Sequence, residues 1–165
     1  MKDITAIIFD LDGVICSTDE YHYRAWKQLA DQWNIPFGRT VNNRLRGVSR
    51  MESLEIVLEK YHGPALSRKQ KEELADYKNT IYRESLKAMS PADLSGEVKS
   101  TLDILRKRGY ALGIGSSSKN TPFILKQIGL ADFFDAVVDG NQIAHSKPDP
   151  EVFLKAAEKL HRDPA

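Results

Sequence analysis

Asp10 and Asp12 stand two residues apart in the string Phe9-Asp10-Leu11-Asp12-Gly13-Val14. Carboxylates this close repel one another and are costly unless a cation or hydrogen-bond donors compensate. Such a pair can divide labour: one attacks as a nucleophile, the other gives and takes a proton, and a divalent cation such as Mg²⁺ offsets the charge. Gly13 permits a tight or positive-φ turn beside them. Asp-Gly turns are also common at solvated strand ends, and for the dipeptide alone that plainer reading has the better claim. The whole string, placed after an apolar strand, shifts the balance toward chemistry.

The elements that must position this pair follow from the hydrophobic pattern. Ile4 to Phe9 is short, apolar and β-branched, and reads as a buried parallel strand. From Asp19 to about Trp33 the period turns helical. Ser49 to Glu52 and Ser67 to Gln70 fit capping boxes. The first opens a helix with Leu54, Val57, Leu58 and Tyr61 inward, the second a long helix with Leu74, Tyr77 and Ile81 on one face, stopped by Ser90-Pro91. A helix from Glu97 to Arg108 turns Val98, Leu102 and Leu105 inward. It is followed by a strand at Tyr110–Gly115, a helix with Pro122 in its first turn, a strand at Phe134–Val138, and a last helix with Asp149 as its N-cap. Alternating strands and helices predict an α/β fold with a doubly wound parallel sheet. An all-helical stretch interrupts it, giving a Rossmann-like core of residues 1–16 and 90–165 and a helical insert of residues 17–89.

Composition narrows the function classes. In 165 residues, 24 Lys and Arg against 23 Asp and Glu give a net charge of +1, without the basic excess of a nucleic-acid or anionic-membrane binder. No apolar run approaches the ~20 residues of a membrane span. The single Cys16 excludes an internal disulfide and a cysteine-built zinc site. Met1-Lys2-Asp3 runs straight into the first strand and does not read as a signal peptide, so the expected compartment is the cytoplasm.

Phe9 to Val14 resembles the first motif of the haloacid-dehalogenase-like phosphotransferases. Gly115-Ser116-Ser117-Ser118 resembles their second motif, and Lys147-Pro148-Asp149-Pro150 their third. Glu20 to Trp26, Gly47-Val48-Ser49-Arg50, Ser90-Pro91-Ala92-Asp93 and Ser118-Lys119-Asn120 resemble strings of the β-phosphoglucomutase branch, and the helical insert resembles its cap. The resemblance implies that Asp10 is the nucleophile that becomes an aspartyl phosphate and also ligates Mg²⁺. Asp12 would be the acid/base for the sugar hydroxyl, with its backbone carbonyl on the metal. Ser116 and Ser117 would hold phosphoryl oxygens, and Lys147 would set a positive charge beside Asp10. A carboxylate attacking a phosphate dianion needs such neutralisation. Taken alone, Lys147 is better read as a surface lysine before a helix.

In the insert, the resemblance places Thr18 and His22 near the acid/base carboxylate, with His22 orienting it. Trp26 is core first and site wall second. Arg50 would grip the non-transferring phosphate with Ser118, Lys119 and Asn120, a task suited to a bidentate guanidinium. Its place in a helix first turn is unfavourable by dipole, which agrees with a ligand role. Arg46 and Gly47 belong to the same string, with Arg46 where the family usually has lysine. Lys78 either reaches the substrate or lies on an exposed helix face. Ser17 replaces a common hinge aspartate.

The family's fourth motif, an acidic pair on a further strand, does not occur before Asp163-Pro164-Ala165. The expectation is therefore a core without its C-terminal part, with a bare edge on the first strand. The implied activity is interconversion of β-D-glucose 1-phosphate and glucose 6-phosphate through a bisphosphate. A sugar-phosphate phosphatase and a catalytically incomplete fragment are the alternatives. The implied partner is a small sugar phosphate. A full-length monomer is expected, and self-association through the bare edge for the chain as it stands.

Overall fold

A computed structural model describes residues 4–46 and 48–164. They form two compact units, Met1–Thr18 with Met89–Ala165, and Asp19–Ala88. Ser17, Thr18 and Met89, assigned to the insert from sequence, fall in the first of these.

The first unit holds three parallel strands, β1 (Ala6–Phe9), β2 (Ala111–Gly115) and β3 (Ala136–Val138), in the order β1-β2-β3. Phe9 pairs with Ile114 and Gly115 with Val138, so all three carboxyl ends lie along one edge of the sheet. Open α/β sheets place ligand sites along that edge. β2 is the central strand and is buried from Leu112 to Gly115, whereas β1 pairs only with β2 among the described residues. The expectation of a fully buried strand from Ile4 is corrected here. Ile4 is 69% exposed, the strand starts at Ala6, and its four residues are half-buried because one edge has no neighbour among the described residues.

Helices α5 (Gly96–Lys107), α6 (Thr121–Gln127) and α7 (Glu151–Lys159) belong to this unit, labelled in chain order after the four helices of the second. α7 packs against all three strands, with Val152 and Ala156 on Val138. It lies close because β2 carries glycines there: a Cβ on Gly115 would stand 2.9 Å from Phe153 Cδ1. Asp149 is not the N-cap of this helix. Pro150 holds that position, although the Asp149 carboxylate still accepts from the Glu151 N–H at 2.9 Å.

The second unit is α1 (Asp19–Gln32), α2 (Arg39–Asn43), α3 (Arg50–Leu58) and α4 (Arg68–Leu86). α1 packs on α4 over a core of Trp26, Leu29, Ala30, Leu54, Val57, Leu74 and Ala75, closed at one end by Ile35 and Phe37. Both expected capping boxes form. Ser49 and Glu52 satisfy each other's N–H groups at the start of α3, and Ser67 and Gln70 do so at α4. Tyr61 lies past the end of α3 and packs against Trp33, with ring centroids 5.6 Å apart.

The face of α4 differs from expectation. Its buried stripe is Leu74, Ala75, Lys78, Tyr82 and Leu86, while Tyr77 is exposed. Counting only apolar residues selects 74, 77 and 81. The stripe that packs includes a lysine, which rotates the inward face by about one residue. α4 also ends at Leu86, before Ser90-Pro91, and Ser90 caps a separate 3₁₀ turn at Pro91–Asp93. No helix among the described residues is long and apolar enough to cross a membrane.

Candidate active site

β1 ends at Phe9 and delivers Asp10 to the carboxyl edge. The chain then folds back on itself: the Val14, Ile15 and Cys16 N–H groups converge on the Leu11 carbonyl at 3.0–3.3 Å, and Gly13 N donates to Cys16 O at 2.8 Å. Gly13 adopts φ +79°, which only glycine enters at low cost. The turn leaves Leu11 fully buried and sets Asp10 and Asp12 in unlike surroundings.

Asp10 Oδ1 accepts from the Leu11 N–H at 2.7 Å and pairs with Lys147 Nζ at 2.8 Å. The Lys147 ammonium also lies 4.8 Å from the centre of the Phe153 ring. Asp12 is more deeply set, and Thr18, itself buried, donates its hydroxyl to Asp12 Oδ1. Burial raises the Asp12 carboxyl above its ordinary value and the charge on Asp10 adds to this; the Thr18 bond and Lys147 oppose it without reversing it. One carboxylate is therefore fixed beside a cation, and its neighbour is biased toward holding a proton. Burial pushes the Cys16 thiol up to about 12, with Asp12 and Asp93 adding to the rise, so it is no competing nucleophile.

β2 ends in the loop Ser116–Asn120. Ser116 is buried, and its Oγ accepts from Ser118 N at 3.2 Å, while Ser118 Oγ accepts from Asn120 N at 3.2 Å. Both hydroxyls shape the loop. Ser117 Oγ accepts from the Lys147 N–H at 3.5 Å, tying this loop to the segment that brings Lys147 to Asp10. Lys119 and the buried Asn120 lead into α6, where Pro122 sits in the first turn.

Magnesium is the cation the resemblance implies. The Asp10 carboxylate and the Asp12 carbonyl, which accepts no backbone hydrogen bond among those of the turn, are hard oxygen donors of the kind it takes. Mg²⁺ commonly binds one or two carboxylates and completes its shell with water and phosphoryl oxygens, so this donor chemistry fits.

A second cluster lies within the helical unit. Lys78, 3% exposed, meets His22 Nδ1 at 2.9 Å and lies 4.8 Å from the ring centres of both Trp26 and Tyr82. His22 stacks on Tyr82 with centroids 4.0 Å apart. Burial, then the charge on Arg50, lowers Lys78 to about 7. Burial, then Lys78 and Arg50, holds His22 well below its ordinary value. With the imidazole neutral, the Lys78 ammonium donates to Nδ1, which leaves the ring proton on Nε2. Arg50, at the start of α3, reaches Asn79 Oδ1 at 3.1 Å and Asp76 Oδ1 at 3.5 Å.

Lys147 contacts both Asp10 and Ser117, Thr18 contacts Asp12 in the same turn as Asp10, and Ser116, Ser118, Lys119 and Asn120 share one loop with Ser117. His22, Trp26 and Lys78 form a cluster of their own, with Arg50 near enough to act on two of its members electrostatically. The hydroxyl on Asp12 is that of Thr18, and the hydrogen bond of His22 goes to Lys78. Arg46 pairs with Asp19 at 2.6 Å and joins neither group. Gly47 lies outside the described residues. Lys78 is not on an exposed face. Sequence reasoning passed over Tyr82, whose position four residues after Lys78 on one helix was the available signal. It also passed over Asp139 and Asn141, which follow β3 as Asp10 follows β1.

A model of haloacid dehalogenase-like hydrolases matches residues 4–165. The chain is 44% identical over 163 residues to a β-phosphoglucomutase of Bacillus subtilis, covering 97% of this chain and 71% of that protein. The chain belongs to the haloacid dehalogenase-like family, in its β-phosphoglucomutase branch. A solved β-phosphoglucomutase from Clostridium difficile superposes with a TM-score of 0.87 at 36% identity, over 97% of this chain and 72% of that one. A phosphorylated-carbohydrates phosphatase of Thermotoga maritima is 27% identical over 94% of this chain and 70% of its own length. Membership accounts for the two unlike carboxylates at the end of β1, and for a strand order that brings the three motif-bearing loops to one edge of the sheet.

Proposed function

We propose that the chain is a phosphotransferase of the isomerase class, interconverting β-D-glucose 1-phosphate and glucose 6-phosphate. The observation that carries this reading is the contrast within one turn: Asp10 clamped to Lys147, and Asp12 held by Thr18 with its pKa raised. An Asp10 oxygen attacks the phosphorus of a glucose 1,6-bisphosphate, the phosphorus–sugar oxygen bond breaks, and the leaving sugar oxygen takes the proton held by Asp12. In the reverse sense Asp12 takes the proton from a sugar hydroxyl as that oxygen attacks the aspartyl phosphate. Lys147 offsets the negative charge, and Ser116 and Ser117 hold the phosphoryl oxygens. Thr18 keeps Asp12 in line.

For the phosphate that is not being transferred, the resemblance assigns Ser118, Lys119 and Asn120 in the first unit and Arg50 in the second. The resemblance assigns His22, Trp26 and Lys78 to the sugar, and names Arg46 and Gly47 in the same family string. The Asp10 carboxylate and Asp12 carbonyl would hold Mg²⁺, which when bound lowers the charge on the transferring phosphoryl group.

The reading takes a small sugar phosphate as partner, with no nucleic acid and no membrane, in the cytoplasm. The full-length protein is proposed to be monomeric, and the 165-residue chain to self-associate through the β1 edge that pairs with no strand among the described residues. A coupled assay with β-D-glucose 1-phosphate, catalytic bisphosphate and Mg²⁺ tests it. Glucose 6-phosphate should form without matching release of inorganic phosphate. Release of phosphate with no glucose 6-phosphate would reject the mutase in favour of a phosphatase.

A further inference from the structure

Beyond the strand ends, the turn after β3 makes a set of contacts that the reaction scheme leaves unused. Val138 O accepts from Ser116 N at 3.0 Å, so the β2–β3 ladder runs one residue into the phosphate loop. Gly140 N then donates to Ser118 O at 3.2 Å, and Asn141 Nδ2 donates to Lys119 O at 3.1 Å. The last residue of β3 and two residues of the turn therefore hold Ser116, Ser118 and Lys119 of the Ser116–Asn120 loop. The approach is close: a Cβ on Gly140 would stand 2.2 Å from the Ser117 carbonyl oxygen. The turn is stiffened from within, because the buried Asp139 accepts from the Asn141 N–H at 2.7 Å. That bond fixes the backbone from which the Asn141 side chain reaches across.

We infer that Asp139-Gly140-Asn141 is a brace for the phosphate-gripping loop, and that Asn141 is a positioning residue for the Lys119–Asn120 segment. The inference rests on that loop binding phosphate. The Ser116 and Ser118 hydroxyl oxygens accept from N–H groups inside the loop, and the Ser118 carbonyl is already held by Thr121 Oγ1 at 2.9 Å. The Lys119 carbonyl is the point at which the Asn141 side chain enters. Without it the peptide between Lys119 and Asn120 can rotate, and the N–H and ammonium groups meant for one phosphate no longer point at a common centre. Asn suits the position because an amide donates without bringing a negative charge beside an anion site.

The test is a titration of the 165-residue chain with inorganic phosphate, followed by amide NMR shifts of Ser118, Lys119 and Asn120, alongside steady-state kinetics with sugar phosphate. In Asn141→Ala, phosphate should bind roughly fivefold more weakly, the loss of one hydrogen bond. KM should rise by a similar factor while kcat stays within about twofold, a split that general loss of structure would not produce. Asn141→Asp should bind more weakly still, having lost the donor and gained a repelling charge. Phosphate affinity and KM equal to wild type in Asn141→Ala would overturn the brace alone. Loop amides that ignore phosphate in the wild type would overturn the phosphate-loop reading, and the brace with it.

Discussion

Asp12 and Lys78 are ionisable groups placed where their charged forms are disfavoured, for different ends. Burial keeps the Asp12 carboxyl protonated to higher pH than an ordinary carboxylate, which suits an acid that must meet a leaving sugar oxygen. Asp12→Asn should lower kcat by about 10²–10⁴-fold, the usual contribution of a positioned acid/base. Because a raised carboxyl pKa makes the ionised form costly in the fold, the same variant should unfold at a higher temperature than wild type at neutral pH, with the difference shrinking as acid protonates Asp12.

Lys78 carries the opposite sign of shift. Its ammonium releases its proton near pH 7 in the fold but near 10.5 when unfolded, so the unfolded chain binds more protons between those values. Stability should therefore rise with pH from about 7 to 10.5, and the full burial penalty should be present below 7. Lys78→Met removes that titration. Urea unfolding at pH 6, 8 and 9.5 should show the variant more stable at pH 6, with a flatter pH dependence than wild type. Equal pH dependence in the two would contradict the buried ammonium.

Among the elements, a helix start places the arginine proposed to grip phosphate. The Ser49–Glu52 capping box fixes where α3 begins, and hence where Arg50 projects toward Asn79 and Asp76. Ser49→Ala should cost about 1 kcal/mol in denaturant unfolding. It should also raise KM for the bisphosphate more than it lowers kcat, because Arg50 loses its fixed origin. An unchanged KM with the full stability loss would show that the cap is structural only. Both capping boxes were legible in sequence because Ser-x-x-Glu and Ser-x-x-Gln satisfy N–H groups locally, without reference to the rest of the chain. The existence of the three strands and the order of their motifs were legible for a similar reason, since each short apolar run ends at Asp or Ser, but the runs placed the starts of β1 and β3 two residues too early. The face of α4 was not, since periodicity counts apolar residues and cannot foresee a lysine buried against imidazole and two aromatic rings. Nor was the half-exposure of β1, which depends on how many neighbours a strand has. The Asn141 contact joins residues 22 apart through a side chain reaching a main-chain carbonyl, and no local pattern marks it.

For the molecule as a whole, family membership and the strand-end geometry support the proposed chemical event, transfer of a phosphoryl group to and from Asp10. The arginine grip bears on which substrates undergo it: Arg50→Ala should raise KM for the bisphosphate roughly 10–100-fold, the range of a charge-assisted pair with phosphate. A monophosphate hydrolase would lose far less. The measurement closest to the central claim is the phosphoryl-enzyme itself. The chain is incubated with glucose 1,6-bisphosphate and Mg²⁺, quenched in acid, and the peptide carrying Asp10 is examined by mass spectrometry, with and without a chase of glucose 6-phosphate. The account predicts a phosphoryl group on Asp10 that the chase removes as bisphosphate reforms, and none in Asp10→Asn. A label on another residue, or no label while turnover proceeds, would contradict it.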